Sequence, residues 1–168
     1  AVRGDAGEAA ELCDFLLKDG RTNMVRAVPA NTPGAKDAKL RYQKCGEADG
    51  LTLVRVRLFT GRSHQIRVQL SHAGLPIWGD ARYGSGRPGE QIALWGAHLG
   101  LIHPTKKEEM HFDALPPMDA QPWKRFDAEI WTKAACEREE KAEPIRIYDG
   151  SAFERRIRGG CTLELFFL

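Results

Sequence analysis

The sequence predicts an α+β fold built on a largely antiparallel mixed sheet with flanking helices. Three observations carry this. Residues 39–43 and 51–59 alternate apolar and polar side chains on either side of a glycine-bearing connection, as the arms of a hairpin do. From His64 to His72 the apolar residues recur instead at helical spacing. A second pair of strand-like runs, 92–102 and 109–113, follows and makes a second hairpin.

Taken in order, residues 8–18 read as a short helix, with Leu12, Phe15 and Leu16 on one side and Asp19-Gly20 ending it. Two prolines and a glycine make 29–34 a loop. In the first hairpin Gly46-Glu47-Ala48-Asp49-Gly50 supplies the turn. Val54, Val56 and Leu58 then share one face, while Lys39, Arg41, Arg55 and Arg57 share the other. The turn Thr60-Gly61-Arg62-Ser63 leads into a helix over 64–72, with Ser63 as its N-cap and Gly74 as its stop. At about 3.6 residues per turn, Ile66, Leu70 and Ala73 line one face of that helix and His64, Arg67 and Ser71 the other. A loop rich in glycine and proline runs to Gly89. The run 92–102 is apolar on both sides, as a central strand is, and in 109–113 Met110 and Phe112 face inward. Pro116-Pro117 closes this part at residue 118, and 119–168 is a tail of different character. The tail holds a charged helix over 133–143, a basic stretch at 154–158 and an apolar end, 161–168. That end is either a strand joining the sheet or a consequence of where the chain is cut.

Composition bounds the function. A chain of 168 residues that is 42% apolar can build one real core. A formal net charge of +2 announces no nucleic-acid binder, so any such argument rests on where the cations stand. The chain opens Ala1-Val2-Arg3 without a signal-like apolar stretch, and no run approaches the roughly 20 apolar residues that span a bilayer. The expectation is a cytoplasmic protein with no membrane partner. Cys13, Cys45, Cys136 and Cys161 form no C-x-x-C pair, so they read as reduced thiols rather than a zinc site or disulfide framework. His98, His103 and His111 lie on or near neighbouring strands but lack metal-ligand spacing, and no metal site is expected.

The chemistry concentrates in Thr60-Gly61-Arg62-Ser63-His64-Gln65-Ile66-Arg67. A glycine-assisted turn feeding a helix N-terminus, with two arginines and a histidine in the first turns, can hold a phosphate or orient a carboxylate. It is equally a capped surface helix with solvated cations, and the residues alone leave both open. The same holds for the basic strand face of Lys39, Arg41, Arg55 and Arg57, which is either solvated or phosphate-facing.

The run T-G-R-S-H-Q-I-R-V-Q-L-S-H-A-G-L-P-I-W-G-D-A-R-Y-G closely resembles the central block of the RluA-type pseudouridine synthases, where T-G-R-[ST]-H-Q-[IL]-R precedes G-x-P-I-x-G-D-x-x-Y-G. The later A-L-W-G-A-H-L-G-L-I-H-P and A-L-P-P are similar to that family's downstream strands, so the resemblance covers roughly residues 1–118. It implies about half of a pseudouridine synthase catalytic fold, its C-terminal part, and an isomerase that converts uridine to pseudouridine in structured rRNA or tRNA. The flipped base is cut from its sugar, rotated and rejoined through carbon, without metal or cofactor. RNA modification and rRNA processing are the processes implied, and RNA is the partner. By the same resemblance Arg67 pairs with the catalytic aspartate. Arg62, His64 and Gln65 lie on the RNA side. With RNA as the partner, the charged strand face of Lys39, Arg41, Arg55 and Arg57 is expected to add further RNA contacts. Gly61, Gly79, Asp80, Tyr83 and Gly84 are structural motif residues, with Asp80 a turn or capping carboxylate.

The sequence departs from the family in one respect. The catalytic aspartate belongs to an H-R-L-D motif, and no such motif occurs in these residues. Asp5, Asp19 and Asp113 lie in no family motif. The expectation is that the aspartate, and the tyrosine of a K-x-Y-x-A segment, come from polypeptide upstream of residue 1, the N-terminal half of the catalytic domain. The alternative is a non-catalytic RNA-binding remnant of the same scaffold. Half a sheet would also leave an unpaired edge and exposed apolar surface.

Overall fold

A computed structural model describes residues 1–131 and, for its backbone, the strand at 163–167. The strands are β1 (Val2–Arg3), β2 (Ala9–Lys18), β3 (Val25–Val28), β4 (Lys36–Ala48), β5 (Leu51–Leu58), β6 (Gly96–Ile102), β7 (Glu109–Asp113) and β8 (Leu163–Phe167). Between β5 and β6 stands helix α1 (Gln65–His72), and a 3-10 turn occupies Trp123–Arg125. The strands form one sheet in the order β3-β2-β4-β5-β8-β6-β7, with β1 paired to β5 off this path. Every pairing between these strands is antiparallel. The architecture is the α+β class that the sequence predicts.

The long hairpin β4–β5 forms the centre. Tyr42 pairs with Val56 and Leu40 with Leu58, so the apolar residues of both strands fall on one face. The turn is tighter than expected: pairing continues to Ala48 and Leu51, and only Asp49 and Gly50, both at positive φ, remain between the strands. Gly46 sits at a register shift within β4 rather than in the turn.

Residues 9–18, expected as helix, are strand. Their burial alternates, with Ala10, Leu12, Asp14 and Leu16 turned inward, and β2 pairs with both β3 and β4. The inward position of Asp14 hides the period of two. It is tolerated because Gln69 Nε2 donates to Asp14 Oδ2 at 2.8 Å and His72 Nδ1 lies 2.9 Å from Oδ1. Such partners exist only after folding. The expected Ser63 cap is likewise replaced: the residue flanking α1 is His64, in the left-handed region at φ 54°, and no side chain caps the helix. Gly74 does end it, at φ 79°, with Leu75 N–H donating to Leu70 C=O at 2.9 Å. Ala73, expected on the buried face, is exposed.

Two further differences concern the second hairpin and the tail. β6 begins at Gly96 rather than at 92, and Phe112 is 49% exposed rather than facing in. The core also does not stop at residue 118. Trp123, Phe126 and Trp131 are buried in the same cluster as Leu40, Leu53, Val56, Ile66 and Leu70. The apolar end of the chain contributes β8, which pairs with β5 and β6 and so joins the two hairpins into one sheet. The expected charged helix over 133–143, the basic stretch 154–158, Cys136 and Cys161 lie outside the described residues. Cys13 is exposed and Cys45 is buried. Among the described residues no helix is long and apolar enough to cross a membrane.

Candidate functional site

The segment from Thr60 to Arg67 is held by one buried amide. Gln65 Oε1 accepts Thr60 Oγ1–H and Arg62 N–H, each at 2.9 Å, and Gln65 Nε2 donates to Lys39 C=O at 3.1 Å and Gln69 Oε1 at 2.9 Å. This staples the turn to β4 and fixes where α1 starts. Gln65, expected on the RNA side, is instead buried and fully used inside the protein. Arg62 turns back on the same strand, with Nε donating to Asp37 C=O at 2.7 Å and Nη2 to Asp37 Oδ1 at 3.0 Å. Gly61 lies exposed in the turn.

The polar face of α1 meets the loop that follows the helix. Arg67 makes a side-on bidentate pair with Asp80: Nε donates to Oδ2 at 2.9 Å and Nη2 to Oδ1 at 2.7 Å. Asp80 is 1% exposed, and its Oδ1 also accepts Arg82 N–H at 2.9 Å and Tyr83 N–H at 3.0 Å. Burial pushes this carboxyl up, but the Arg67 guanidinium and the two backbone donors outweigh it and hold Asp80 below the usual 3.8. The Tyr83 ring lies under the guanidinium, 5.0 Å from its carbon. Tyr83 is itself anchored: its hydroxyl lies 2.8 Å from His64 Nδ1, and its carbonyl accepts the Ser71 hydroxyl. Burial, helped by the charges of Arg67, Arg82 and Lys18 and opposed by Asp80, lowers the His64 imidazole below 6.5. The loop has no slack. Gly79 has φ 75°, and a Cβ there would stand 2.3 Å from Gln91 C=O; one at Gly84 would stand 2.9 Å from Asp80 C=O.

The strand cations form a separate group. Lys39 pairs with Glu11 at 2.8 Å and lies over the Phe59 ring, which Arg57 also approaches at 5.5 Å. Arg55 donates to Gln43 Oε1 at 3.0 Å, and Arg41 stands opposite Arg57 in the ladder. These residues occupy the sheet face opposite Leu40, Tyr42, Val54 and Val56, on which Ile66 and Leu70 of α1 pack. The fold therefore gathers the strand cations with one another, but not on the face that carries α1 and Arg67.

No family model matches the chain. It is 42% identical over 90 residues to an uncharacterized RNA pseudouridine synthase of Bacillus subtilis, covering 52% of this chain and 31% of that protein. It is 35% identical over 118 residues to the ribosomal large subunit pseudouridine synthase D of Zymomonas mobilis, covering 64% and 37%. With the ribosomal large subunit pseudouridine synthase C of Vibrio parahaemolyticus the identity is 32% over 114 residues, covering 63% and 34%. The chain is a homologue of RNA pseudouridine synthases. The similarity fits the RluA type, and the chain spans about a third of the length of these relatives.

Two histidines of this pseudouridine synthase homologue converge and one does not. His98 Nδ1 lies 2.7 Å from Asp113 Oδ1 and His98 Nε2 lies 3.4 Å from His111 Nδ1, whereas His103 Nδ1 accepts the N–H groups of Thr105 and Lys106. Among the described residues no group of three or more His, Cys, Asp or Glu is arranged to hold a metal. Sequence reasoning missed the in-chain carboxylate partner of Arg67, taking Asp80 only as a turn residue. The available signal was general: a carboxylate in a glycine-rich, tightly packed loop is buried, and a buried carboxylate needs a cation.

Proposed function

We propose that this chain is part of an RNA pseudouridine synthase that isomerises uridine to pseudouridine in structured RNA, rRNA or tRNA. The observation that carries the reading is Arg67 within T-G-R-S-H-Q-I-R. Its Nε and Nη2 are engaged by Asp80, and among the described residues Nη1 makes no hydrogen bond. A guanidinium with one edge fixed and another open suits a second carboxylate. In this reading that carboxylate is the catalytic aspartate, supplied by polypeptide outside these 168 residues, which contain no H-R-L-D. Residues 1–118 hold the family-like part of the catalytic domain. His64 stands close enough to Arg67 to feel its charge, and the strand cations, on the opposite face of the sheet, add a sequence-independent attraction for RNA phosphates. The synthase names of the relatives support the reaction class.

The test uses the full-length gene product and RNA carrying uridine tritiated at C5, because isomerisation releases that hydrogen. The expected results are tritium release by the full-length protein, none by the 168-residue chain alone, and none by full-length Arg67→Ala with an unchanged circular dichroism spectrum. Near-normal turnover by Arg67→Ala would refute the role given to Arg67. Turnover by the isolated chain would refute the missing catalyst. RNA retention without tritium release by the full-length protein would favour the non-catalytic scaffold.

A further inference from the structure

We propose that Lys18, His64 and Arg82 form a subsite for a phosphate of the RNA strand, beside Arg67 and on the same face of the sheet. The subsite rests on the synthase reading above for its partner, RNA, and adds two cations that no motif assigns.

Three segments far apart in sequence meet here. Along β2 the inward side chains are Ala10, Leu12, Asp14 and Leu16, and Lys18 continues that alternation onto the face that carries α1. Lys18 stands opposite Val25 in the ladder. Val25 N–H donates to the Tyr83 hydroxyl oxygen at 3.0 Å, and the same oxygen lies 2.8 Å from His64 Nδ1. Arg82, next to Tyr83, reaches the same turn, with Nη1 donating to Asn23 C=O at 3.2 Å. Underneath, Leu16, Val25 and Val68 are buried in one cluster with Tyr83 packed against it, so an apolar floor fixes the spacing of these groups.

Lys18 and Arg82 are exposed, and among the described residues neither pairs with a carboxylate. The neighbouring carboxylates are engaged elsewhere. Asp80 holds Arg67, Asp14 is held by Gln69 and His72, and Asp19 accepts from Arg21 N–H and Thr22. Among the described residues His64 Nε2 makes no hydrogen bond. With Val25 N–H on its oxygen, the Tyr83 hydroxyl directs its own hydrogen to His64 Nδ1. A neutral imidazole that accepts at Nδ1 carries its hydrogen on Nε2. Burial first, and then the charges of Arg67, Arg82 and Lys18, keep the ring neutral. One neutral N–H donor between two exposed cations suits a phosphodiester, whose single charge is shared by two oxygens. The strand cations do not take this place. Lys39 is paired to Glu11 and Arg55 to Gln43, on the far face of the sheet.

The experiment measures retention of a large-subunit ribosomal RNA transcript by the full-length protein over a salt series, above pH 6.5 so that His64 is neutral. Lys18→Gln and Arg82→Gln should each lower the slope of log affinity against log salt by about 0.7–0.9, the share of one phosphate contact. Lys44→Gln removes the same charge among Glu47, Glu8 and Asp5 and should leave the slope unchanged. His64→Asn tolerates the left-handed backbone and keeps an acceptor for Tyr83, but has no donor at the place of Nε2. It should weaken binding about 10-fold without changing the slope. His64→Gln carries an N–H₂ out to that place and should recover to within about 3-fold of the wild type. Unchanged slopes for Lys18→Gln and Arg82→Gln would overturn the subsite. An equal drop for Lys44→Gln would do so too, because net charge alone would then govern binding. Wild-type affinity for His64→Asn, or a lower slope, would overturn the neutral donor. These measurements need binding and not turnover. The expected slopes without tritium release would sink the synthase reading and leave the subsite standing, whereas no retention of the transcript by the wild type at low salt would sink both.

Discussion

The hydroxyl oxygen of Tyr83 lies 2.8 Å from Nδ1 of His64, and it also accepts Val25 N–H at 3.0 Å. One oxygen thus joins the loop after α1, the residue that starts α1 and the edge strand β3. Tyr83→Phe keeps the ring beneath Arg67 but strips both groups of their partner. It should cost about 1–2 kcal/mol, read as a lower urea midpoint at unchanged slope. An unchanged midpoint would mean that water replaces the hydroxyl without loss.

The pH response of His64 follows from the same contacts. Its folded pKa lies below the ordinary 6.5, so the stability linked to the neutral ring is fully present above 6.5 and is lost as pH falls through the folded value. Asp80, also lowered, adds a component present above 3.8 and lost further into acid. In an NMR titration the His64 ring should therefore titrate below 6.5. A midpoint at or above that value would contradict the burial described here.

Gln69 is the most consequential buried polar residue. It is 0% exposed, and its Nε2 reaches Asp14 Oδ2, Leu12 C=O and Ala38 C=O. Its Oε1 accepts from Gln65. Gln69→Leu matches the volume but orphans these groups together. The expected destabilisation is about 3 kcal/mol, measured by denaturant unfolding. A loss below about 1 kcal/mol would show that the network relaxes around the leucine.

Gly86 was not singled out in the sequence, yet a Cβ there would stand 2.4 Å from the Gly79 carbonyl carbon. Gly86→Ala must push the loop away from Asp80, whose carbonyl accepts Gly86 N–H at 3.1 Å. We expect a loss of about 2–3 kcal/mol together with weaker amide-exchange protection over residues 79–86. Gly89→Ala is a control for steric crowding, because a Cβ there meets nothing within 4 Å although φ is 85°. Since φ at Gly86 is not positive, its loss reports crowding alone, and a loss below about 1 kcal/mol would show that the loop relaxes around the added carbon.

Much of the fold was legible along the chain because the contacts involved are local or periodic. The alternation in β4 and β5 and the helical spacing of Ile66 and Leu70 are each visible within a dozen residues. Residues 9–18 were misread because Leu12, Phe15 and Leu16 also suit a helix, and because Asp14 stands where a strand pattern wants an apolar residue. The place of β8 was undecidable from its own residues, since an apolar end pairs with whichever edge is free.

The order of residues by itself determined the hairpins, helix α1, the family-like block and the presence of Arg67 within it. Tertiary structure alone decided that Gln65 is spent inside the protein, that Arg67 already holds Asp80, and that the strand cations lie on the other face of the sheet. The physical reason is range. Periodicity and turn chemistry act between neighbours and leave a mark in sequence. The partner of a buried polar group comes from wherever packing brings it: 26 residues away for Gln65 and Lys39, 55 for Gln69 and Asp14.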